Sequence, residues 1–176
     1  MSRAHWVHDS QKRSLATLSD YLQESIGDST TDIHLSMIRF AGSIHLAQDR
    51  GHDPLLNNIV NLWAKHRIIV KDLFSYDKDC LEHDACDSVI VNAVQVLRGE
   101  LGVSLETAKE VARTIQLDTE REIHGLYMEV LSRTGIDSTE VRYIRALVES
   151  LAGNVFCSST AGRNAMPLVG KSVDGE

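Results

Sequence analysis

Apolar residues recur along this chain every three to four positions, and the breakers between them mark off a series of helices. A loose N-terminal segment is predicted over residues 1–17. Leu15 to Ser25 carries a short helical pattern that breaks at Gly27-Asp28-Ser29-Thr30-Thr31. Asp32 or a neighbouring threonine can cap a second helix. Its Leu35, Ile38, Ile44 and Leu46 fit one buried stripe, and it is predicted to run until just before Gly51. Asp53 followed by Pro54 is a strong start signal: the carboxylate caps exposed N–H groups, and proline suits the first turn. Leu56, Ile59, Val60, Trp63, Val70 and Phe74 then continue without a breaker to about His83, which predicts an unusually long helix.

Asp87 to Gly99, with Val89, Val91, Val94 and Val96, reads as a further helix. Gly102-Val103-Ser104 is a turn with Ser104 as cap. The helix it opens runs through Ala108, Val111, Ile115, Ile123, Leu126 and Val130 to about Arg133, and Gly135 ends it. Asp137 with Glu140 three residues on resembles a capping box. The last helix carries Ile144, Leu147, Val148 and Leu151 before Gly153. Residues 164–176 read as a disordered tail. The fold class expected is all-α, an antiparallel bundle of five or six helices spanning 18–163.

Composition narrows the partners. The chain has 176 residues, 43% of them hydrophobic, enough for one domain with a core. Its net charge of -7, with no cluster of Lys and Arg, argues against nucleic acid. No apolar run approaches a membrane span. Three cysteines, Cys80, Cys86 and Cys157, lack metal-type spacing and read as buried or free thiols, which makes a cytoplasmic setting the expectation. The eight histidines are scattered.

Candidate chemistry lies inside the long helix. Lys71, Ser75 and Asp79 are spaced four apart, so they share one face over roughly 12 Å at 1.5 Å per residue. A hydroxyl at Ser75 and a carboxylate at Asp79 are oxygen donors suited to Mg²⁺. Lys78 beside them could contact a diphosphate oxygen. Asp72 and Asp77 point to other faces and are expected to be solvent-facing or paired. By composition alone, a solvated polar stripe explains the same residues.

Residues 71–79 resemble the second metal motif of class I terpene synthases, N-D-x-x-S-x-x-x-E, matching at Asp72, Ser75 and Lys78, with the final acid shortened to Asp79. Val91 to Leu97, then Glu100 to Ser104, Ala108 and Lys109, resemble the stretch that follows this motif in fungal members. Tyr21-Leu22, Gly27-Asp28-Ser29 and the helix from Ile33 are similar to the segment before it. Phe156 to Asn164 resembles the C-terminal segment ending in Arg-Tyr. The order and spacing agree from about Leu18 to Asn164.

The resemblance implies an all-α bundle around an apolar cavity, corresponding to the C-terminal part of the family's fold. It implies Mg²⁺ as cofactor and a prenyl diphosphate, farnesyl or longer, as substrate, ionised and cyclised with loss of diphosphate. Ser75 and Asp79 would be metal ligands, Lys71 would stand at the Asn ligand's position, and Lys78 and Arg163 would bind diphosphate. Trp63 and Phe74 would be either cavity-wall aromatics or plain core residues.

Four departures accompany the match. The chain has no Asp-Asp pair, so the family's aspartate-rich motif is expected on helices outside it. Lys71 replaces the Asn ligand, and an ammonium has no lone pair. Ser25 or Ile26 stands where the family places a diphosphate-sensing Arg. Asn164 replaces the final Tyr. An N-terminal half supplied elsewhere, or a homo-oligomer, would cover the apolar face that is left open. The alternative is a non-catalytic helical binding or interaction protein derived from the family.

Overall fold

The computed structural model describes residues 17–28, 30–46, 53–86 and 91–160. These form six helices and no strand: α1 (Leu18–Asp28), α2 (Thr31–Ala41), α3 (Pro54–Cys86), α4 (Ala93–Leu101), α5 (Leu105–Thr134) and α6 (Thr139–Thr160). The all-α expectation holds. Residues 1–16 of the expected loose N-terminal segment and the whole tail 164–176 fall outside the described residues, while Thr17 is described and its hydroxyl pairs with Asp20.

The 33 residues of α3 form the axis of the bundle. Asp53 opens it as expected, its carboxylate accepting from the Leu55 N–H at 2.9 Å. Helix α5 runs antiparallel beside it: Lys109 near the start of α5 meets Asp77, and Glu120 further on meets His66. Two apolar clusters divide the length of α3. Toward its N-terminus, Leu56, Ile59 and Trp63 pack with Ile123 and Val130 of α5 and Val141, Ile144 and Leu147 of α6. Toward its C-terminus, Ile69 and Tyr76 pack with Tyr21 and Leu22 of α1, Val94 and Leu97 of α4, and Ala108 and Ala112 of α5.

Several boundaries differ from the pattern-based expectation. Helix α1 continues through Gly27 to Asp28. Helix α2 stops at Ala41 rather than near Gly51. Its end is a Schellman-type reversal: the Ile44 N–H donates to Arg39 O at 2.8 Å and the Ser43 N–H to Phe40 O at 3.1 Å. Ser43 sits at φ 48°, in the left-handed region. Ile44 therefore reaches the core from a turn, folded back over Gly42, where a Cβ would come within 2.7 Å of its Cδ1.

Helix α4 begins at Ala93, not Asp87, because Asn92 is extended (φ -153°, ψ 138°) and caps it, accepting from the Val94 N–H. Residues 87–90 lie outside the described residues. Ser104 caps α5 as expected, and Gly135 follows its end. For α6 the cap is Ser138, whose hydroxyl accepts from the Val141 N–H at 3.1 Å, and not Asp137. Helix α6 also runs on through Gly153 to Thr160.

The first face of α2 lacks cover among the described residues. Ile33, Met37 and Phe40 share one stripe and are 60%, 62% and 88% exposed. No helix among the described residues is long and apolar enough to cross a membrane.

Candidate metal-motif face

The C-terminal half of α3 carries the polar stripe. Lys71 stands out into solvent, its side chain 74% exposed, with Nζ 3.8 Å from Asp72 Oδ1. One turn on, Ser75 is buried and donates its hydroxyl to Asp79 Oδ2 at 2.8 Å. Asp79 and Lys78 are half-buried. The structure thus joins Ser75 to Asp79 and leaves Lys71 apart from both. Arg163 and Asn164 lie outside the described residues.

Asp72 overturns the solvent-facing option. It is 1% exposed. Its Oδ2 accepts from the Tyr21 phenol on α1 and from the Ala93 N–H at 2.9 Å at the start of α4. Burial pushes its carboxyl above the ordinary range, and the hydrogen bonds from Tyr21 and Ala93 and the Lys71 ammonium act against that. Burial, reinforced by the Asp72 charge and the bond to its carboxylate, raises the Tyr21 phenol's pKa in turn. Asp77 is paired as expected, with Lys109 at 3.1 Å.

Asn92, fully buried, closes the group. Its Nδ2 donates to the Asp72 backbone carbonyl and to Asp79 Oδ2, both at 2.9 Å. Its Oδ1 accepts from the Val94 N–H at 2.9 Å. Tyr21 and Asn92 are the hydrogen-bonding neighbours of Asp72 and Asp79 that the motif spacing does not include. The signal for Asn92 was present: an asparagine directly before an apolar run is a cap. For Tyr21 it was weaker, a phenol on the apolar side of a short helix that needs a polar partner once buried.

Trp63 belongs to the core. It is 1% exposed, with its indole N–H on Ser150 Oγ at 2.8 Å and the Arg67 guanidinium 4.6 Å over its ring. Burial lowers the Arg67 pKa. Arg67 stands one turn before Lys71 on the same face. Phe74 is half-buried and outside both apolar clusters.

Ser75 Oγ and Asp79 Oδ2 suit a divalent cation in one respect. Octahedral bonds of about 2.0–2.1 Å place neighbouring oxygens about 2.9 Å apart. These two oxygens are 2.8 Å apart, the length of the hydrogen bond that joins them, so an ion that takes both replaces that bond without moving the side chains far. They could hold two adjacent positions of such an ion, the rest falling to water or phosphate oxygens. Lys71 adds no third.

The sequence model described as terpene synthase family 2, C-terminal metal binding, matches residues 1–122. The chain belongs to this family. Terpene cyclase 6 from Gibberella fujikuroi is 28% identical over 148 residues, covering 84% of this chain and 39% of that protein. Terpene cyclase aneC from Aspergillus aculeatus is 29% identical over 146 residues, covering 83% of this chain and 32% of that protein. The chain thus spans well under half the length of these relatives. The crystal structure of aristolochene synthase from Penicillium roqueforti shares the fold, with a TM-score of 0.74 at 23% identity, over 86% of this chain and 50% of that one. The chain is a terpene cyclase-like protein corresponding to the C-terminal portion of the class I fold.

Proposed function

We propose that this chain is the C-terminal portion of a cyclase that takes a prenyl diphosphate, farnesyl or longer, and needs the remaining helices of the fold to act. One observation supports the reading: in a chain that belongs to a metal-binding terpene synthase family, the two oxygen donors kept from the motif, Ser75 and Asp79, lie side by side on one helix face, joined by a hydrogen bond. Ser75 and Asp79 would hold Mg²⁺ as two neighbouring ligands. A bound Mg²⁺ supplies positive charge where diphosphate leaves.

The chain's own residues do the rest. Asp79 contributes the anionic oxygen. Lys71, in place of a ligand, extends an ammonium toward solvent on the same face, suited to a phosphate oxygen. Lys78 and Arg163 are further diphosphate contacts in this reading. The apolar wall that templates cyclisation is shared with the remaining helices of the fold. A cytoplasmic setting fits unpaired Cys80 and Cys157.

The test is reconstitution. The chain is incubated with Mg²⁺ and farnesyl or geranylgeranyl diphosphate, alone and with the N-terminal portion of Terpene cyclase 6, and volatile products are read by gas chromatography. Product from the mixture and none from either part is expected. No product from the mixture, together with no Mg²⁺-dependent rise in unfolding temperature with diphosphate, overturns the reading in favour of the non-catalytic alternative.

A further inference from the structure

We propose that Asn92 is the positioning residue for the Asp79 carboxylate, and through it sets the affinity of this face for a divalent cation. The inference rests on the reading of Ser75 and Asp79 as an oxygen pair, but it concerns a residue on a different element and outside the motif.

The carboxamide is fully committed. A carboxamide has two N–H donors and one carbonyl oxygen. In Asn92 one donor goes to the Asp72 carbonyl and the other to Asp79 Oδ2, while the oxygen takes the Val94 N–H. With 0% exposure it has no room to turn. Three contacts on two helices therefore fix where its N–H points, and that N–H fixes one oxygen of Asp79.

The second donor to Asp79 Oδ2 is Ser75, and that bond is conditional. A hydroxyl that ligates a cation turns its hydrogen away from the ion, so Ser75 cannot keep donating along the line to Asp79 while both oxygens bind. Asn92 is under no such conflict. Its N–H approaches from α4 and can persist with the ion in place. Partners that orient ligating carboxylates in this way typically matter by 10–100-fold in metal affinity.

Asn92 also caps α4, so loss of the cap must be separated from loss of the donor. Asn92→Ser does this, because serine retains an acceptor for the helix N–H groups and removes both donors toward α3. Ser104→Ala is the control: it removes the corresponding cap of α5 and leaves α3 untouched.

The experiment is a Mn²⁺ titration of the full chain followed by the loss of the free-ion EPR signal, with unfolding temperature measured alongside. The expected result is Mn²⁺ binding that Asp79→Asn abolishes, that Asn92→Ser weakens at least tenfold, and that Ser104→Ala leaves alone. Equal affinity in the Asn92→Ser and parent chains overturns the inference while the oxygen-pair reading stands. No Asp79-dependent Mn²⁺ binding in the parent chain overturns both. A second measurement needs no variant. In the unaltered chain the Asn92 side-chain NH₂ signals are expected to shift with Mg²⁺ along a saturating curve and stay protected from exchange. Signals unmoved at saturation overturn the inference even where Asn92→Ser fails to fold.

Discussion

The phenol of Tyr21 on α1 donates its hydrogen to the carboxylate of Asp72 on α3, within a seam where both side chains are almost wholly shielded from solvent. The same carboxylate oxygen holds the first N–H of α4. One side chain therefore gathers three helices, and it is the neighbour in sequence of the exposed Lys71.

Truncating Asp72 leaves the phenol and the Ala93 N–H buried without an acceptor. Asp72→Ala is expected to lower stability by about 2–6 kcal/mol, at about 1–3 kcal/mol for each stranded group. Tyr21→Phe strands less and costs about 1–3 kcal/mol. Urea unfolding of both variants and the double mutant checks this. The two losses are expected to be less than additive, because the side chains share one bond.

Alkaline pH separates the contribution of Tyr21. Its folded pKa is raised, while an unfolded tyrosine ionises near pH 10. Above about pH 10 the unfolded chain gives up its proton first, so stability falls as pH rises. Tyr76 and Tyr143 are raised too, chiefly by burial, and act with the same sign. Urea midpoints from pH 8 to 11 are expected to drop, and less steeply in Tyr21→Phe. For Asp72, also raised, the favourable contribution is full below the unfolded pKa of about 3.9 and is lost as pH rises through the folded one.

Ser43 holds a left-handed backbone at φ 48°. Glycine adopts that conformation without a Cβ penalty. Ser43→Gly is expected to raise stability by about 0.5–1 kcal/mol, the relief of strain exceeding the added freedom of the unfolded chain. A higher thermal midpoint with an unchanged helical spectrum is the check.

Lys71 is exposed, so replacing it disturbs no packing. Lys71→Asn is expected to change stability by less than about 0.5 kcal/mol. It places a neutral carbonyl oxygen on the face of Ser75 and Asp79 and removes a positive charge. Tighter Mn²⁺ binding than in the parent chain is the expected outcome of the EPR titration.

Helix existence was legible wherever apolar spacing and a cap agreed. Asp53-Pro54 opened α3, and Ser104 and Gly135 framed α5, because those residues act on the backbone beside them. Boundaries failed where a distant contact decided them. The apolar spacing of Ile44 and Leu46 resembles a continuing helix, yet Ile44 is buried after a reversal whose residues look unremarkable in sequence. Valine spacing before residue 93 suggested an earlier start for α4, while Asn92 was held extended by its bonds to α3.

The sequence by itself determined the helical class, the family and the shared face of Lys71, Ser75 and Asp79, since a period of 3.6 residues follows from local geometry alone. It could not show that Asp72 turns inward to Tyr21, or that Asn92, on another element, reaches Asp79. Those are bonds between segments far apart in the chain. Only packing α1 and α4 against α3 brings their donors to those carboxylates, with Asp72, Tyr21 and Asn92 shielded from solvent.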